Sequence, residues 1–369
     1  VEGGKGGGGG GGGGVRVGRT GDEEFASVWS GRCDREQLTA VADGITADLS
    51  KSFIVGAATL HVGATIGIAV CPHDGAFEEE LMRSADLALY RAKEAGRGGH
   101  AFFERWMLDE AEDNGLLEQD VRQALGGDGL ALAYQPIIDA LTGEAVGREA
   151  LLRWRHPKRG DIPPDQFIPI IEDAGLIHQI GDWVIREACA EAIGWEGQMR
   201  VAVNISAAQL TGAGLAKTVL GALATTRLEP SRLELEVTES VFLGDDAATL
   251  ASLERLRALG VRLVLDDFGK GYSSFGYLSR AQFAKIKIDQ SFVRGAAEGA
   301  RDCVAIVHAI LALARGLGVE TTAEGVETEA QASVMRQLGC TQLQGFHFGR
   351  PVRAEELPVA RAEQQRRTA

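Results

Sequence analysis

The sequence predicts an α/β fold whose main domain is a parallel (β/α)8 barrel. Short apolar runs, each ending in a carboxylate, an amide or a lysine, recur along the last two-thirds of the chain. The runs VAVN, LELE, LVLDD, AKIK and TTAE end at Asn204, Glu236, Asp267, Lys287 and Glu324. Successive ends lie roughly 20 to 40 positions apart, about the length of a strand-helix-strand unit. Because the carboxyl ends of barrel strands converge on one face, these polar residues are predicted to meet in one pocket.

Composition limits the size and the partners of the protein. The chain has 369 residues and 45% hydrophobic content, enough for about two domains with substantial cores. Its formal net charge of -14 argues against nonspecific binding to nucleic acid polymers or anionic membranes. A phosphate ligand would therefore need a local site in which metal ions supply positive charge.

The cysteines and the apolar runs indicate the cellular location of the protein. The five cysteines are widely spaced and form no CxxC pair, so neither a disulfide framework nor a zinc site is predicted, and a reducing, cytoplasmic location fits best. The longest apolar run, 304–314, is too short to span a bilayer and predicts a buried helix. The chain opens at Val1 without methionine or a secretory signal. We expect it to be cut from a longer protein whose lost part could carry a sensor or a membrane anchor.

The pattern of glycines, charges and apolar residues predicts five regions. Helical patterns at 35–51 and 78–95 flank an alternating, strand-like stretch at 61–70, and a charged amphipathic pattern at 103–125 indicates a helix. The predicted regions are a disordered glycine-rich segment at 1–14, a small domain at 15–104, a connecting helix at 105–129, the barrel domain at 130–358 and a tail at 359–369.

Nine sequence blocks of the second domain occur in the order and at the spacing of a known family. They are YQPI at 134–137, REALLRWRHP at 148–157, PPDQFIP at 163–169, VNIS at 203–206, ELEVTES at 234–240, DDFGKGYSS at 266–274, KID at 287–289, AEGVE at 323–327 and QGFHFGRP at 344–351. On these residues the domain resembles the EAL family of cyclic di-GMP phosphodiesterases. The resemblance implies a TIM-like barrel, the hydrolysis of cyclic di-GMP to linear 5'-pGpG, and a homodimer formed through this domain.

The chemistry of the available ligands agrees with this resemblance. Phosphodiesters resist hydrolysis because their charge repels nucleophiles and their leaving group is poor, and two divalent ions answer both problems. The chain offers oxygen donors, which select hard ions such as Mg2+ or Mn2+, and Ca2+ is expected to inhibit because it binds the same oxygens with longer bonds. None of the seven histidines lies in a metal-ligand pair, so an iron or zinc centre is not expected.

The resemblance also implies a role for individual residues. Glu149, Asn204, Glu236 and Asp266 would hold the first ion, and Asp266 would bridge to a second ion that Asp267 and Glu324 also bind. Lys287 would orient and help deprotonate the attacking water, with Glu324 as the other candidate for the base. Gln135, Arg153 and Gln344 would contact the substrate, Arg153 at its phosphate, and Glu239 would steady the loop after Asp267.

Arg153 and the neighbouring Trp154 each have two interpretations, and the pair Asp266 and Asp267 requires a special backbone. Arg153 could instead be a salt-bridged barrel residue, and Trp154 is expected in the core rather than against a base. Adjacent Asp266 and Asp267 would point to opposite faces of a continuing strand, so a turn is predicted there, aided by the glycines that follow. In that loop Lys270 replaces the family's commoner threonine, so regulation could differ.

The first domain resembles the C-terminal part of a GGDEF domain. The blocks that carry the resemblance are RTGDEEF at 19–25, ATIGIAVCPHDG at 64–75 and ADLALYRAKEAGR at 85–97. Asp22 stands where the family needs its second glycine, and the family's first strand should lie upstream, where the chain is almost all glycine. We therefore expect a truncated remnant that makes no cyclic di-GMP. The competing hypotheses are a catalytically silent cyclic di-GMP receptor and, less favoured, a bifunctional cyclase-phosphodiesterase.

Overall fold

The computed structural model describes residues 14–56, 58–125, 127, 129–211, 214–242, 246–269 and 280–357. The segment 1–13, the predicted tail and the loop that carries Lys270 lie outside the described residues. Contacts divide the chain into two units, Val1–Gly115 and Leu116–Ala369, which we describe separately. Among the described helices, none combines the length and the apolar character needed to cross a bilayer.

The first unit is built from short paired strands and amphipathic helices. Its strands are β1 (Val15–Arg19), β2 (Phe25–Trp29), β3 (Phe53–Val55), β4 (Ala58–Leu60), β5 (Ile66–Ile68) and β6 (His100–Phe102). Its helices are α1 (Arg35–Leu49), α2 (Glu78–Glu94) and the first part of α3 (Arg105–Ala124). The strands pair as β1–β2 and β3–β4 hairpins and as a parallel β5–β6 pair. The three predicted helices are confirmed, whereas the strand predicted at 61–70 is shorter.

The helices of this unit begin where side chains satisfy their first N–H groups. Asp34 accepts a hydrogen bond from the backbone of Gln37, whose side chain accepts one from the backbone of Asp34, forming a capping box at the start of α1. Three glutamates, at positions 78–80, occupy the first turn of α2, where the helix dipole favours negative charge.

The second unit alternates strands and helices. Its strands are β7 (Leu130–Asp139), β8 (Ala145–His156), β9 (Gly160–Ile162), β10 (Arg200–Asn204), β11 (Leu233–Thr238), β12 (Arg262–Phe268), β13 (Lys285–Ile288), β14 (Glu320–Ala323), β15 (Gln342–Gln344) and β16 (Val352–Arg353). Its further helices are α4 (Pro164–Asp173), α5 (Ile177–Ala192), α6 (Ala207–Leu210), α7 (Gly214–Thr226), α8 (Asp246–Ala258), α9 (Gln290–Ala297), α10 (Arg301–Leu317) and α11 (Glu329–Leu338). All five predicted apolar runs contribute to strands, and α10 contains the buried helix predicted at 304–314.

Eight of these strands close into a barrel in the order β7-β8-β10-β11-β12-β13-β14-β15, with β15 pairing back to β7. The barrel confirms the predicted fold class, with one difference. β7 runs antiparallel to both of its neighbours, while the other seven are mutually parallel. A tight turn joins β7 directly to β8, so no crossover helix is needed between them.

Strict alternation along the strands separates the core from the barrel interior. One set of apolar side chains packs in a single cluster with the surrounding helices, and each member is almost fully buried: Val201, Val203, Leu233, Leu235, Leu263, Leu265, Ile286 and Ile288. The residues between them point into the barrel, which places the polar run ends other than Asp267 on the inside. Trp154 is only 2% exposed and packs edge-to-face on Phe167, as expected for a core residue.

A close backbone contact joins the two loops that follow β14 and β15. Val326 donates a hydrogen bond to the carbonyl of Gln344 and accepts one from the amide of His347. Between these bonds Gly345 lies so close that a Cβ atom there would stand 2.1 Å from the Val326 carbonyl oxygen. Glu324 lies in the first of these loops and Gln344 is the last residue of β15, so this contact fixes the backbone beside both side chains.

Substituting Gly345 by alanine should lower the free energy of unfolding by about 2 kcal/mol or more. The added Cβ atom would overlap the backbone of Val326, which can move only by breaking its hydrogen bonds to Gln344 and His347. Urea denaturation provides the measurement. Gly221→Ala is the control, since Gly221 lies within α7 with nothing within 4 Å of an added Cβ, and it should gain up to about 1 kcal/mol. Equal stabilities for the Gly345 variant and the wild type would contradict this packing.

Candidate active site

The carboxyl ends of the barrel strands bring the predicted site residues together. Glu149 lies on β8, Asn204 ends β10, Glu236 lies on β11, Asp266 and Asp267 lie near the end of β12, Lys287 lies on β13, Glu324 follows β14 and Gln344 ends β15. With the exception of Asp267, each of these residues lies an even number of positions from another inward-facing residue of its strand, so its side chain also faces inward. The closed barrel thus converts seven separate stretches of sequence into one polar cluster.

Glu149 is held by two side-chain amides. Asn204 donates to Glu149 Oε1 at 2.6 Å, and Gln344 donates to Glu149 Oε2 at 2.6 Å. Because both carboxylate oxygens accept these bonds, the orientation of Glu149 is fixed before any ligand arrives.

Lys287 occupies the centre of the cluster and is 1% exposed. Its Nζ lies 2.7 Å from Glu236 Oε2, 2.7 Å from Glu324 Oε1, 3.4 Å from Asp266 Oδ1 and 3.6 Å from Glu149 Oε2. One cation therefore contacts four carboxylates that come from four different strands or strand ends. The negative charge of the cluster exceeds what a single lysine can balance.

The two adjacent aspartates face the same site because the backbone turns at the second one. Asp267 adopts a left-handed conformation with φ +53°, and the pairing of β12 with β13 shifts register at this point. Ligand oxygens of Asp266, Asp267 and Glu324 consequently lie within 4.8 Å of one another. The predicted turn is confirmed, but it falls on Asp267 itself, and Gly269 continues it with φ +105°.

Burial and crowding shift the acid-base properties of the cluster. Burial raises the pKa of Glu324 to about 8, since Lys287 only partly offsets it and Asp266 and Glu149 add repulsion. Burial likewise raises the pKa values of Glu236 and Asp266. For Lys287 burial favours the neutral amine, but the surrounding carboxylates outweigh it and raise the pKa. Glu149 differs from the other acids, because Lys287, Gln344 and Asn204 outweigh its burial and lower its pKa.

The same residues suit divalent cations. Glu236 Oε1 is buried without a hydrogen-bond partner among the residues that the structure describes, although a buried carboxylate oxygen normally has one. A cation would satisfy this oxygen, and the grouped oxygens of Asp266, Asp267 and Glu324 offer a second set of ligands. Since every donor is an oxygen, the site fits hard ions such as Mg2+ or Mn2+.

The three predicted substrate contacts lie at different distances from this cluster. Gln344 donates to both Glu149 and Gln135, and Gln135 donates to the carbonyl of Gly349 at 3.2 Å. These glutamines therefore form a wall beside Glu149. Arg153 lies four residues further along β8, half-buried, and its guanidinium donates to the carbonyl of Leu152.

Glu239 lies where a residue that steadies the loop should be. It begins the 3-10 turn after β11 and is buried, and its Oε2 accepts a hydrogen bond from the amide of Gly269 at 3.3 Å. Gly269 is the last described residue before the loop that continues from Asp267. Glu239 thus ties the end of β11 to the turn that presents both aspartates.

Sequence reasoning missed a second charged layer inside the barrel. Lys285 and Glu234 are buried and form an ion pair two residues before Lys287 and Glu236 on the same strands. The signal was present in the doubled patterns ELE and KIK, in which both charged residues face the same side.

Comparison with known proteins follows the two-unit division. The family model of the EAL domain matches residues 118–351, and that of the diguanylate cyclase GGDEF domain matches residues 14–99. The chain is 45% identical over 345 residues to the bifunctional diguanylate cyclase/cyclic di-GMP phosphodiesterase MucR of Pseudomonas aeruginosa, covering 92% of this chain and 50% of MucR. It is 42% identical over 310 residues to the cyclic di-GMP phosphodiesterase NbdA of the same organism, covering 83% of this chain and 39% of NbdA.

A solved structure extends this similarity to the fold. The PaMucR phosphodiesterase in complex with c-di-GMP is 49% identical, with a TM-score of 0.63, over 66% of this chain and all of that one. The chain spans about half or less of the length of the curated relatives MucR and NbdA.

The raised pKa of Glu324 predicts how stability depends on pH. Because its folded-state pKa of about 8 exceeds the unfolded value of 4.5, the folded protein holds the extra proton between these values. Stability of the metal-free protein should therefore fall as pH rises from about 5 to 8, by at most about 1.4 kcal/mol per pH unit for one proton. Added Mg2+ should raise the melting temperature more at pH 8 than at pH 5.5, since the ion competes with protons.

Glu324→Gln removes this titration and serves as the comparison. The stability difference between wild type and variant should shrink or change sign as pH rises through this range, measured by thermal melting in a chelator. A difference that stays constant from pH 5 to pH 8 would contradict the assignment.

Proposed function

The chain belongs to the EAL domain family, and we propose that it hydrolyses cyclic di-GMP to linear 5'-pGpG in a metal-dependent reaction. The observation that carries this proposal is the buried group of carboxylates at the carboxyl end of the barrel, which one lysine cannot neutralise. An anionic phosphodiester would be repelled by this site unless divalent ions were bound there. The activities named for the relatives MucR and NbdA, together with the c-di-GMP complex of a structural neighbour, support the choice of substrate.

Two groups of residues would hold the ions. The first comprises Glu149, Asn204, Glu236 and Asp266, and the second comprises Asp266, Asp267 and Glu324. Bound Mg2+ or Mn2+ would neutralise the phosphate charge and lower the pKa of an attacking water. The unpartnered Glu236 Oε1 and the close oxygens of the second group support this division.

Glu324 and Lys287 would handle the proton of the attacking water. Glu324 is the candidate base because its carboxylate lies at the ion site, 2.7 Å from Lys287 Nζ, where it could accept the proton of a water bound there. Lys287 keeps its proton when surrounded by carboxylates, so it would donate a hydrogen bond that orients the water or the phosphate. Attack on phosphorus breaks the bond to the ribose 3' oxygen, which then takes up a proton and leaves a 5' phosphate on the linear product.

The substrate would contact the wall beside the ion site. Gln344 and Gln135 line it through their shared hydrogen bond, and a small rotation would free an amide for a phosphate or a base. Arg153 would reach the phosphate by exchanging its bond to the Leu152 carbonyl for a stronger bond to a charged group.

A silent receptor that only binds cyclic di-GMP is the alternative. The complete set of acids and the lysine favours catalysis, because a receptor has no need of a costly buried charge cluster. The first unit would contribute no cyclase activity. Asp22 adds a negative side chain at the turn between β1 and β2, where a triphosphate would have to approach. Homodimerisation through the barrel domain stays a prediction.

One assay tests the proposal. The purified chain is incubated with cyclic di-GMP and either Mg2+, Mn2+ or Ca2+, and the products are separated. We expect pGpG with the first two ions and none with Ca2+ or chelator. Binding without any product under all conditions would favour the receptor.

Glu149→Ala should abolish hydrolysis while the variant remains folded, because Glu149 points into the polar cluster rather than the apolar core. Product analysis and circular dichroism on the same sample test this. Glu144→Ala is the matched control, since Glu144 lies exposed at the turn between β7 and β8. Wild-type turnover by a folded Glu149 variant would refute its role as an ion ligand.

Lys287→Ala should lower kcat by about a hundredfold or more with substrate affinity retained, because its proposed work is on the attacking water. Turnover at saturating substrate and binding in Ca2+ give the two quantities. Lys217→Ala, at an exposed position of α7, is the control. Lost binding with unchanged kcat would show that Lys287 holds the substrate instead.

A further inference from the structure

A second charged layer lies inside the barrel near the amino ends of the strands. We call it the amino-end network. It consists of one residue from each of six consecutive strands, β10 to β15: Arg200, Glu234, Arg262, Lys285, Glu320 and Gln342.

The centre of the network is Glu234, which is fully buried. Its Oε2 lies 2.5 Å from Lys285 Nζ, and its Oε1 accepts hydrogen bonds from Arg200 and Arg262, both at 3.1 Å. Three cations thus surround one carboxylate. Although burial opposes ionisation, they hold the pKa of Glu234 below its usual range.

Glu320 extends the network to the remaining strands. It lies 2.7 Å from Arg200 and 3.0 Å from Arg262, and it accepts a hydrogen bond from Gln342 at 3.0 Å. Glu320 is also the register partner of Lys285 on the neighbouring strand. The six strands are therefore cross-linked below the site by direct polar contacts.

Every strand in the network also carries a residue of the candidate site. The site residue follows the network residue by two positions on β11, β13 and β15, and by four positions on or just after β10, β12 and β14. Even spacing keeps both side chains on the interior face, about 7 to 13 Å apart. Small or apolar side chains lie between the layers: Ala202, Val264 and Thr322.

The two layers repeat one contact. The Lys285–Glu234 pair and the Lys287–Glu236 pair each join β13 to β11 across the intervening strand β12. A sliding of β13 relative to β11 would break both pairs together. The lower pair, which is buried away from the site, therefore limits how far the upper pair can move.

We propose that Lys285 and Glu234 are positioning residues, which hold β13 and β11 in the register that sets Lys287 and Glu236 for ion binding and catalysis. The kinetic part of this inference rests on the proposed function. The alternative is that the network only stabilises the fold, and buried ion pairs are weak evidence even for that.

Lys285→Met tests the inference because it removes the charge and keeps the length of the side chain. We expect the affinity for Mn2+, measured by calorimetry without substrate, to fall about tenfold, as for other residues that support metal ligands indirectly. We expect kcat to fall by about ten- to a hundredfold with KM changed less than about threefold. Lys285→Arg should restore both values to within about threefold of the wild type.

Two further variants separate positioning from stability. Thr218→Val removes a part-buried 2.6 Å hydrogen bond, from Thr218 to Asp182, between the outer helices α7 and α5, so it should lower the melting temperature without changing Mn2+ affinity. Glu320→Gln is the second test variant, because Glu320 has 35% of its side chain exposed and its loss should be tolerated if Lys285→Met does not fold. We expect Glu320→Gln to weaken Mn2+ binding, as Lys285→Met does.

The outcomes distinguish the inference from the proposed function. Reduced melting temperature with wild-type Mn2+ affinity in Lys285→Met, or in Glu320→Gln if the former does not fold, would overturn the positioning role. A wild type that binds Mn2+ but leaves cyclic di-GMP intact would refute the proposed function alone, and calorimetry would still decide the inference. A wild type that binds no Mn2+ would refute both.

Discussion

The charge of Lys287 holds the carboxyl end of the barrel together. Without a buried cation at this point, carboxylates from β8, β11, β12 and the end of β14 would repel each other in a medium of low dielectric constant. The lysine relieves this repulsion only in part. Burial and the remaining repulsion raise the pKa values of Glu236, Asp266 and Glu324. The metal-free site is thus held in a state that gains stability when it binds either protons or divalent cations.

Alternation along the strands makes this arrangement possible at all. The apolar side chains of each strand pack outward against the helices, so the interior is left for polar residues without weakening the core. Two such polar layers, one at each end of the strands, are separated by small side chains. The apolar core between the strands and the helices stabilises the fold and offsets the cost of the buried charges. It also fixes the register of the strands, which sets the positions of the residues in both polar layers.

Much of this could be read from the sequence, and the reasons for the rest are physical. The run ends identified the strands and the residues that meet, because polar residues that end apolar runs are unusual enough to carry information. The adjacency of Asp266 and Asp267 predicts a turn aided by the glycines that follow, whereas Asp267 itself takes the left-handed conformation. Periodicity does not encode strand direction, so the reversal of β7 could not be predicted. The run ends alone do not identify Lys285 and Glu234, because each lies two residues before the last residue of its run.

The reversal of β7 determines where the chain enters the barrel. In an all-parallel barrel the first strand would begin at the end opposite the site. Here Leu130, the first residue of β7, pairs with Trp154 near the end of β8, so the chain arrives at the rim of the candidate site. Whatever precedes residue 130 is therefore connected by the covalent chain to the pocket opening rather than to the distant floor of the barrel. From this rim β7 carries the chain to the turn at residues 140–144, so the first strand crosses the whole barrel before the parallel strands begin.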